Sequence, residues 1–251
     1  MTGSAGGRNW FEQGGQAYAR FRPEYPAELA AYLAACAGDR QLAVDVGCGN
    51  GQLTAQLAGH FEQVVGLDPS ADQLAHATPR DNVDYRCAAA ERLPLDAGSA
   101  SLISAAQAAH WFDLPAFYAE VRRIARPGAV LALVSYGVLQ LEQGLDARFQ
   151  HFYGEEIGRY WPAERQLVDS GYATLDFPFE ALTPPPLAIR LEWDLAQFLG
   201  YLATWSAVRH AREAGQVAIL QRFAGELAEL WGEPAAQRSI SWPINMRIGR
   251  T

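Results

Sequence analysis

The sequence predicts an α/β fold: a doubly wound, mostly parallel sheet followed by a helical cap. Three observations point there. The apolar run Leu42–Val46 ends in glycines at alternate positions, Gly47, Gly49 and Gly51, and a helical pattern starts at once with Leu53, Leu57 and Phe61 on one face. A second apolar run, Val64–Leu67, ends at Asp68. Strand-length and helix-length patterns then alternate to about residue 138, after which helical patterns dominate.

The bulk properties set bounds. With 251 residues, 49% hydrophobic and 19% charged, the chain is long enough to bury a full core and has a globular composition. A net charge of −8 without a lysine- or arginine-rich run argues against nucleic acid as a partner. Cys36, Cys48 and Cys87 are odd in number and lack C-x-x-C spacing, so neither a disulfide framework nor a zinc site is expected. No metal-ligand spacing occurs among His60, His76, His110, His151 and His210. Met1–Gly7 has no signal-peptide core, and Ala129–Leu139, the longest apolar run, is too short to span a bilayer. A cytoplasmic monomer or homodimer is expected.

Taken in order, Leu29, Tyr32, Leu33 and Cys36 mark a helix stopped at Gly38. Strand, glycine turn and helix from Leu42 onward form a cradle: glycine lets the backbone approach a ligand, and a helix start offers free N–H groups. Asp68, at the end of the second strand, is placed to accept both hydroxyls of a ribose. Two ligand classes use such a half-site. A dinucleotide fingerprint reads G-x-G-x-x-G, but that last position is Gln52 and the third glycine comes one residue early, at Gly51.

Ser70 with Gln73 is a capping-box pattern for a short helix ended before Pro79. Val83, Tyr85 and Cys87 alternate as a third strand, and Ser101–Ala106 reads as a fourth, buried one. Pro115 opens a helix with Phe117, Val121 and Ile124 on one face and a basic end; Pro127-Gly128 then turns into a fifth strand, Val130–Tyr136. Beyond it, Leu145, Phe149, Phe152, Tyr153 and Ile157 suggest a helix with an aromatic face ending near Trp161-Pro162. A strand is expected around Leu175–Leu182 before Pro184-Pro185-Pro186. One long helix from Asp194 carries Leu195, Phe198, Leu199, Leu202, Trp205 and Arg209, and a second carries Leu220, Phe223, Leu227 and Leu230. Ile240–Ile248 is the last apolar run.

The G-x-G-x-G loop preceded by an acid resembles the first motif of class I methyltransferases, which bind S-adenosylmethionine and release S-adenosylhomocysteine. Gln107-Ala108-Ala109-His110-Trp111-Phe112 after the fourth strand resembles the small-molecule enzymes grouped with trans-aconitate and ubiquinone/menaquinone methyltransferases, of the methyltransferase type 11 kind. The resemblance implies a seven-stranded Rossmann-like sheet whose last strand, Ile240–Ile248, is antiparallel. It implies cofactor contacts from Asp45, Gly47, Cys48, Gly49, Gly51, Asp68, Pro69, Gln73, Ala89, Ala90, Glu91 and Gln107. Tyr18-x-x-x-Arg22-Pro-x-Tyr-Pro is similar to a segment folded over the methionine end of the cofactor, which would bring Tyr18 and Arg22 to its aminocarboxylate. An amphipathic arm packed on the core is the plainer alternative. Two departures stand out: the family's adenine-reading acid is Ala89 here, and its Leu-x-Pro-Gly-Gly appears as Ala125-Arg-Pro-Gly-Ala129.

Methyl transfer from a sulfonium needs alignment and a dry pocket more than a protein nucleophile. His110 is a candidate general base or an orienting residue. Trp10, Phe11, Trp111, Tyr136, Arg190, Trp205 and Arg209 are candidates to line a small-molecule acceptor site. A carboxylate acceptor needs a cation and no base; a phenol or activated carbon must lose a proton. The expected organisation is an arm and lid helix over 1–40, the cofactor core over 41–138, and a substrate cap with the last strands over 139–251. A non-catalytic S-adenosylmethionine-binding protein and an NAD-type oxidoreductase remain as alternatives.

Overall fold

The computed structural model describes residues 23–251, so Tyr18 and Arg22, with Trp10 and Phe11, lie outside the described residues. The chain divides into two compact units. A sheet unit takes Glu24–Val138, Glu164–Ile189 and Pro243–Thr251; a helical unit takes Leu139–Ala163 and Arg190–Trp242. In chain order the elements are α1 (Ala27–Cys36), β1 (Leu42–Val46), α2 (Gln52–Leu57), β2 (Gln63–Asp68), α3 (Ala71–Ala75), β3 (Val83–Cys87), β4 (Ala100–Ala106), α4 (Leu114–Ile124) and β5 (Ala125–Tyr136). They continue with β6 (Gln140–Leu141), α5 (Gln143–His151), α6 (Arg165–Asp169), β7 (Glu180–Leu182), β8 (Leu187–Trp193), α7 (Leu195–Ala203), α8 (Ser206–Glu213), α9 (Val217–Trp231) and β9 (Arg238–Arg250).

In the sheet unit the strand order is β3-β2-β1-β4-β5-β9. β1 lies parallel to β2 (Val44↔Val65) and to β4 (Asp45↔Ser104), and β4 parallel to β5. β5 meets β9 antiparallel, Ala132 opposite Ile248. The order reverses between β1 and β4, and in an open α/β sheet that switch point is where a ligand crevice forms at the carboxyl ends. The central strands are apolar on both faces, as a covered parallel sheet requires. Val44, Leu67, Ile103, Leu131 and Leu133 pack in one core with Phe117, Val121 and Ile124 of α4. Each fully buried side chain of this kind contributes about 1.5–3 kcal/mol.

Among the described residues the sheet has nine strands rather than the seven expected. β9 runs thirteen residues, and besides β5 it pairs with the short strands β6, β7 and β8. Other elements also differ from the sequence pattern. α2 stops at Leu57, and Phe61 is buried from the turn beyond it. Ser70 Oγ accepts from Gln73 N at 3.3 Å, but the Ser70 N–H goes to Asp68 Oδ1 at 2.8 Å, so the capping box is half made. β7 is three residues long, and β8 after the prolines was not foreseen. The aromatic helix widens into a π turn at Phe152–Glu156 and then tightens into a 3-10 turn at Gly158–Tyr160. The long helix from Asp194 breaks between Ala203 and Ser206, where Trp205 takes an extended conformation and Thr204 Oγ1 donates to Tyr201 O at 2.7 Å. Among the described residues no helix is long and apolar enough to cross a membrane.

Candidate active site

The loop between β1 and α2 holds three glycines with positive φ, each for a different reason. Gly47 (φ +70°) donates to Leu67 O at 2.7 Å, and a Cβ there would run into the Ala108 methyl. Gly51 (φ +81°) caps α2 with no room for a side chain, because a Cβ would collide with the Tyr85 hydroxyl. Gly49 (φ +55°) is the exception: among the described residues, a Cβ would meet within 4 Å only the Gln73 amide oxygen, at 3.9 Å. Two glycines are therefore required by the protein's own packing, and the third faces open space. That is the cradle a ligand backbone approach demands.

Two carboxylates hold this loop. Asp45 is 1% exposed beneath it, accepting from Thr54 Oγ1 of α2 at 2.7 Å and from Ser104 Oγ of β4 at 2.8 Å. Burial pushes its pKa up to about 6, against the lowering effect of the two hydroxyls. Asp68, at the end of β2, accepts from Gly49 N through Oδ2 and from Ser70 N through Oδ1, both at 2.8 Å. A carboxylate has about four acceptor sites, so among the described residues each Asp68 oxygen keeps one unfilled. Acceptor capacity at Asp68 and space at Gly49 are compatible with the nucleoside part of S-adenosylmethionine. Cys48 lies between these acids, and burial, then Asp45, raises its thiol pKa. Pro69 and Gln73 are exposed around the same strand end.

The turns after β3 and β4 meet through Glu91, whose Oε1 accepts from Asp113 N at 2.9 Å; Asp113 in turn caps α4. Ala89 is exposed and Ala90 buried. Gln107, directly after β4, stands at φ +54°, donating its backbone N–H to Val134 O and its amide to Tyr136 O at 3.3 Å. Tyr136 is buried, with its ring centroid 6.0 Å from Tyr25. His110 lies in a 3-10 turn (Ala109–Trp111), its Nδ1 2.9 Å from the Tyr172 hydroxyl. Burial, then Arg165, lowers the His110 pKa to about 4, with Glu164 opposing. Trp111 beside it is 65% exposed.

The remaining candidates belong to the helical unit. Trp205 is half-buried, with ring centroids 6.0 Å from Phe149, 5.7 Å from Tyr153, 5.2 Å from Trp161 and 5.5 Å from Tyr201. Arg209 is exposed, 3.9 Å from Glu213, and Arg190 is exposed at β8. The structure thus gathers the loop, Asp68, Glu91, Gln107 and His110 at the carboxyl ends of one unit's strands. It places Trp205 in an aromatic cluster and the two arginines at the surface.

Sequence reasoning missed Thr54, Ser104, Tyr85 and Tyr172. Ser104 is found only from the β1–β4 register, which sets it opposite Asp45. Tyr85 lies behind the loop, with burial pushing its pKa up to about 12. Gly171-Tyr172 gives no signal beyond an ordinary turn.

Comparison with known proteins agrees with this geometry. Residues 44–133 match the model of the family described as a methyltransferase domain. A methyltransferase-family protein of Dictyostelium discoideum is 38% identical over 242 residues, 94% of this chain and 92% of that protein. A solved structure from Anaeromyxobacter dehalogenans, described as a type II methyltransferase, is 45% identical with a TM-score of 0.87, covering 92% of this chain and 98% of that one. The Bacillus subtilis protein YcgJ shares the fold at 16% identity and a TM-score of 0.54, over 90% of this chain and 99% of its own. By its sequence relatives and by its fold, the chain belongs to the class I S-adenosylmethionine-dependent methyltransferases.

Proposed function

We propose that the chain methylates a small molecule bearing a carboxylate, or a phenol or activated carbon, with the cofactor held at the Asp68 end of the sheet. The observation that carries this is the pair Gly49 and Asp68: among the described residues, a left-handed glycine with open space at its Cβ, hydrogen-bonded to a carboxylate that retains acceptor capacity. When bound, S-adenosylmethionine supplies a methyl already activated by sulfonium, so the acceptor's lone pair takes it as the C–S pair stays on sulfur. The protein's part is placement. Asp45 anchors the loop to α2 and β4 from below, Asp68 fixes Gly49 and the start of α3, and Glu91 ties two turns of the crevice rim together. Well-oriented reactants gain about 7–11 kcal/mol of barrier from such placement.

Choice of acceptor is assigned to the helical unit, through Trp205, Arg190 and Arg209. Cytoplasmic operation as a monomer or homodimer belongs to the same proposal: Cys36, Cys48 and Cys87 are free thiols, and the net charge of −8 suits a small-molecule acceptor better than nucleic acid. The test is calorimetric. Asp68→Ala should bind S-adenosylmethionine roughly 10–100-fold more weakly while remaining folded, because it loses charge-assisted bonds of about 1.5–3 kcal/mol each. Unchanged affinity in the folded variant, or preferential binding of NAD by the wild type, would end the assignment.

A further inference from the structure

Tyr172 is fully buried, and its backbone stands at φ +61°, a region in which a bulky side chain is a rare outlier. The preceding residue, Gly171, is also left-handed (φ +62°), and a Cβ there would come 2.7 Å from Asn245 Cγ. Two successive left-handed residues, braced by Tyr172 N donating to Leu167 O at 2.8 Å, return the phenol to His110. Strained backbone of this kind persists where the surroundings over-determine it, and it clusters at functional sites.

The proton count on this pair gives its direction. The Tyr172 oxygen accepts from the His110 backbone N–H, and among the described residues His110 Nδ1 is the one acceptor within reach of the phenol proton. If the imidazole donated, the buried phenol proton would be left without an acceptor, which is costly. The phenol therefore donates and Nδ1 accepts. A neutral imidazole that accepts at Nδ1 carries its proton on Nε2. Both groups stay neutral near pH 7: burial raises the phenol's pKa, while burial and Arg165 lower the imidazole's to about 4, with Glu164 opposing. Nε2 has no hydrogen-bond partner among the described residues, and the turn that carries it follows β4 at the sheet's switch point.

We propose that Tyr172 is a positioning residue that locks His110 in its Nε2–H form, and that His110 offers this N–H to an anionic oxygen of the methyl acceptor rather than taking a proton from it. The acceptor half rests on the methyl-transfer function proposed above; the tautomer half does not. An acceptor that arrives as a carboxylate satisfies this arrangement. Its oxygen lone pair forms the new bond to the methyl, the C–S pair remains on sulfur, and no proton has to leave.

The tautomer is read in the whole protein by long-range proton–nitrogen correlation on nitrogen-15-labelled histidine at pH 7, with His110 assigned by the signals lost in His110→Gln. The expected spectrum has a bare Nδ1 and a protonated Nε2, and Tyr172→Phe should turn it into a tautomer mixture. A protonated Nδ1 in the wild type overturns the proposal without any variant having to fold. The acceptor half is read by transfer of labelled methyl from S-adenosylmethionine to benzoate, aconitate and phenol. His110→Ala should raise the acceptor KM roughly 10–100-fold, as loss of a hydrogen bond to a charged group predicts, with kcat changed less. His110→Gln, which keeps an N–H donor but cannot act as a base, should recover most of that loss. Equal inactivity of both variants, with a pH limb from His110 in the wild type, overturns the donor role. If no acceptor is methylated while the tautomer is as expected, the functional assignment fails and the lock stands.

Discussion

The glycine loop of the sheet unit and the aromatic cluster of the helical unit were both singled out by sequence, yet they are built by different physics. The loop is held by charge and backbone: three left-handed glycines, two carboxylates, and short hydrogen bonds from Thr54, Ser104, Gly49 and Ser70. The cluster is held by ring packing, with Trp205 in edge or tilted contact with four aromatics and Phe152 stacked on Phe223 at 3.8 Å. Hydrogen-bonded backbone tolerates no added atom at specific points, whereas packed rings tolerate exchange at a cost that scales with volume.

The largest effect expected separates glycines within the loop itself. Gly51→Val must adopt a left-handed backbone against the Tyr85 ring, a combined cost of roughly 2–6 kcal/mol that should lower the melting temperature by roughly 5–20 °C. Gly49→Val carries the backbone strain without the collision, so it should stay folded while losing S-adenosylmethionine binding. Thermal unfolding and calorimetry on the two variants check this; normal cofactor binding by Gly49→Val would reduce the loop to a turn. Next in size, Trp205→Ala should destabilise the protein by roughly 2–4 kcal/mol, somewhat less than the roughly 3–5 kcal/mol for a fully buried aromatic because Trp205 is half-buried, and leave cofactor affinity within about twofold. A cofactor defect as large as that of Gly49→Val would abolish the division between the two regions.

The same contrast explains what could be read in the sequence. β1, the glycine loop, β2 with Asp68, and the β4–α4–β5 run were legible because their signals are local: an apolar run, a glycine spacing, the Pro115 start of a helix. The helical unit was legible in content but not in shape. Nothing near Phe152 in sequence announces the π turn, which accompanies its stacking on Phe223, some seventy residues on. The break at Thr204 and Trp205 likewise serves ring contacts with Phe149, Tyr153 and Trp161. At the site, Asp45 was legible as an acid before the glycines, but its burial under Thr54 and Ser104 depends on register across strands. Tyr172 depends on two left-handed residues that composition does not reveal.

Asp45 gives the loop a pH dependence that the ring-packed region lacks. Its folded pKa, about 6, lies above the ordinary carboxylate value of 3.8, because burial favours the neutral form. The folded state therefore holds a proton that the unfolded state gives up between these values, and its stability falls as pH rises through that window. The stabilisation is complete below about pH 4 and lost above about pH 6, with an upper size of about 3 kcal/mol. Asp45→Asn keeps an amide that can face both hydroxyls and should flatten this component of the stability curve. Urea unfolding from pH 4 to 7 measures it; the same slope in wild type and Asn variant would assign the dependence elsewhere.

The smallest structural effect should belong to Arg209, which makes it a clean probe of acceptor choice. Its side chain is 65% exposed and its ion pair with Glu213 is long, at 3.9 Å. Exposed pairs of this kind contribute about 0–1 kcal/mol, so Arg209→Ala should move the melting temperature by little and leave the Trp205 cluster in place. Any change in turnover then reports an interaction with the acceptor itself, free of the packing loss that complicates Trp205→Ala. If the guanidinium meets an acceptor carboxylate, the alanine variant should raise KM for carboxylates while sparing a neutral phenol, and Arg209→Lys should recover part of the loss through charge alone. Equal kinetics for wild type and Arg209→Ala on every acceptor would move selection away from this arginine, leaving Arg190 and the rings to carry it.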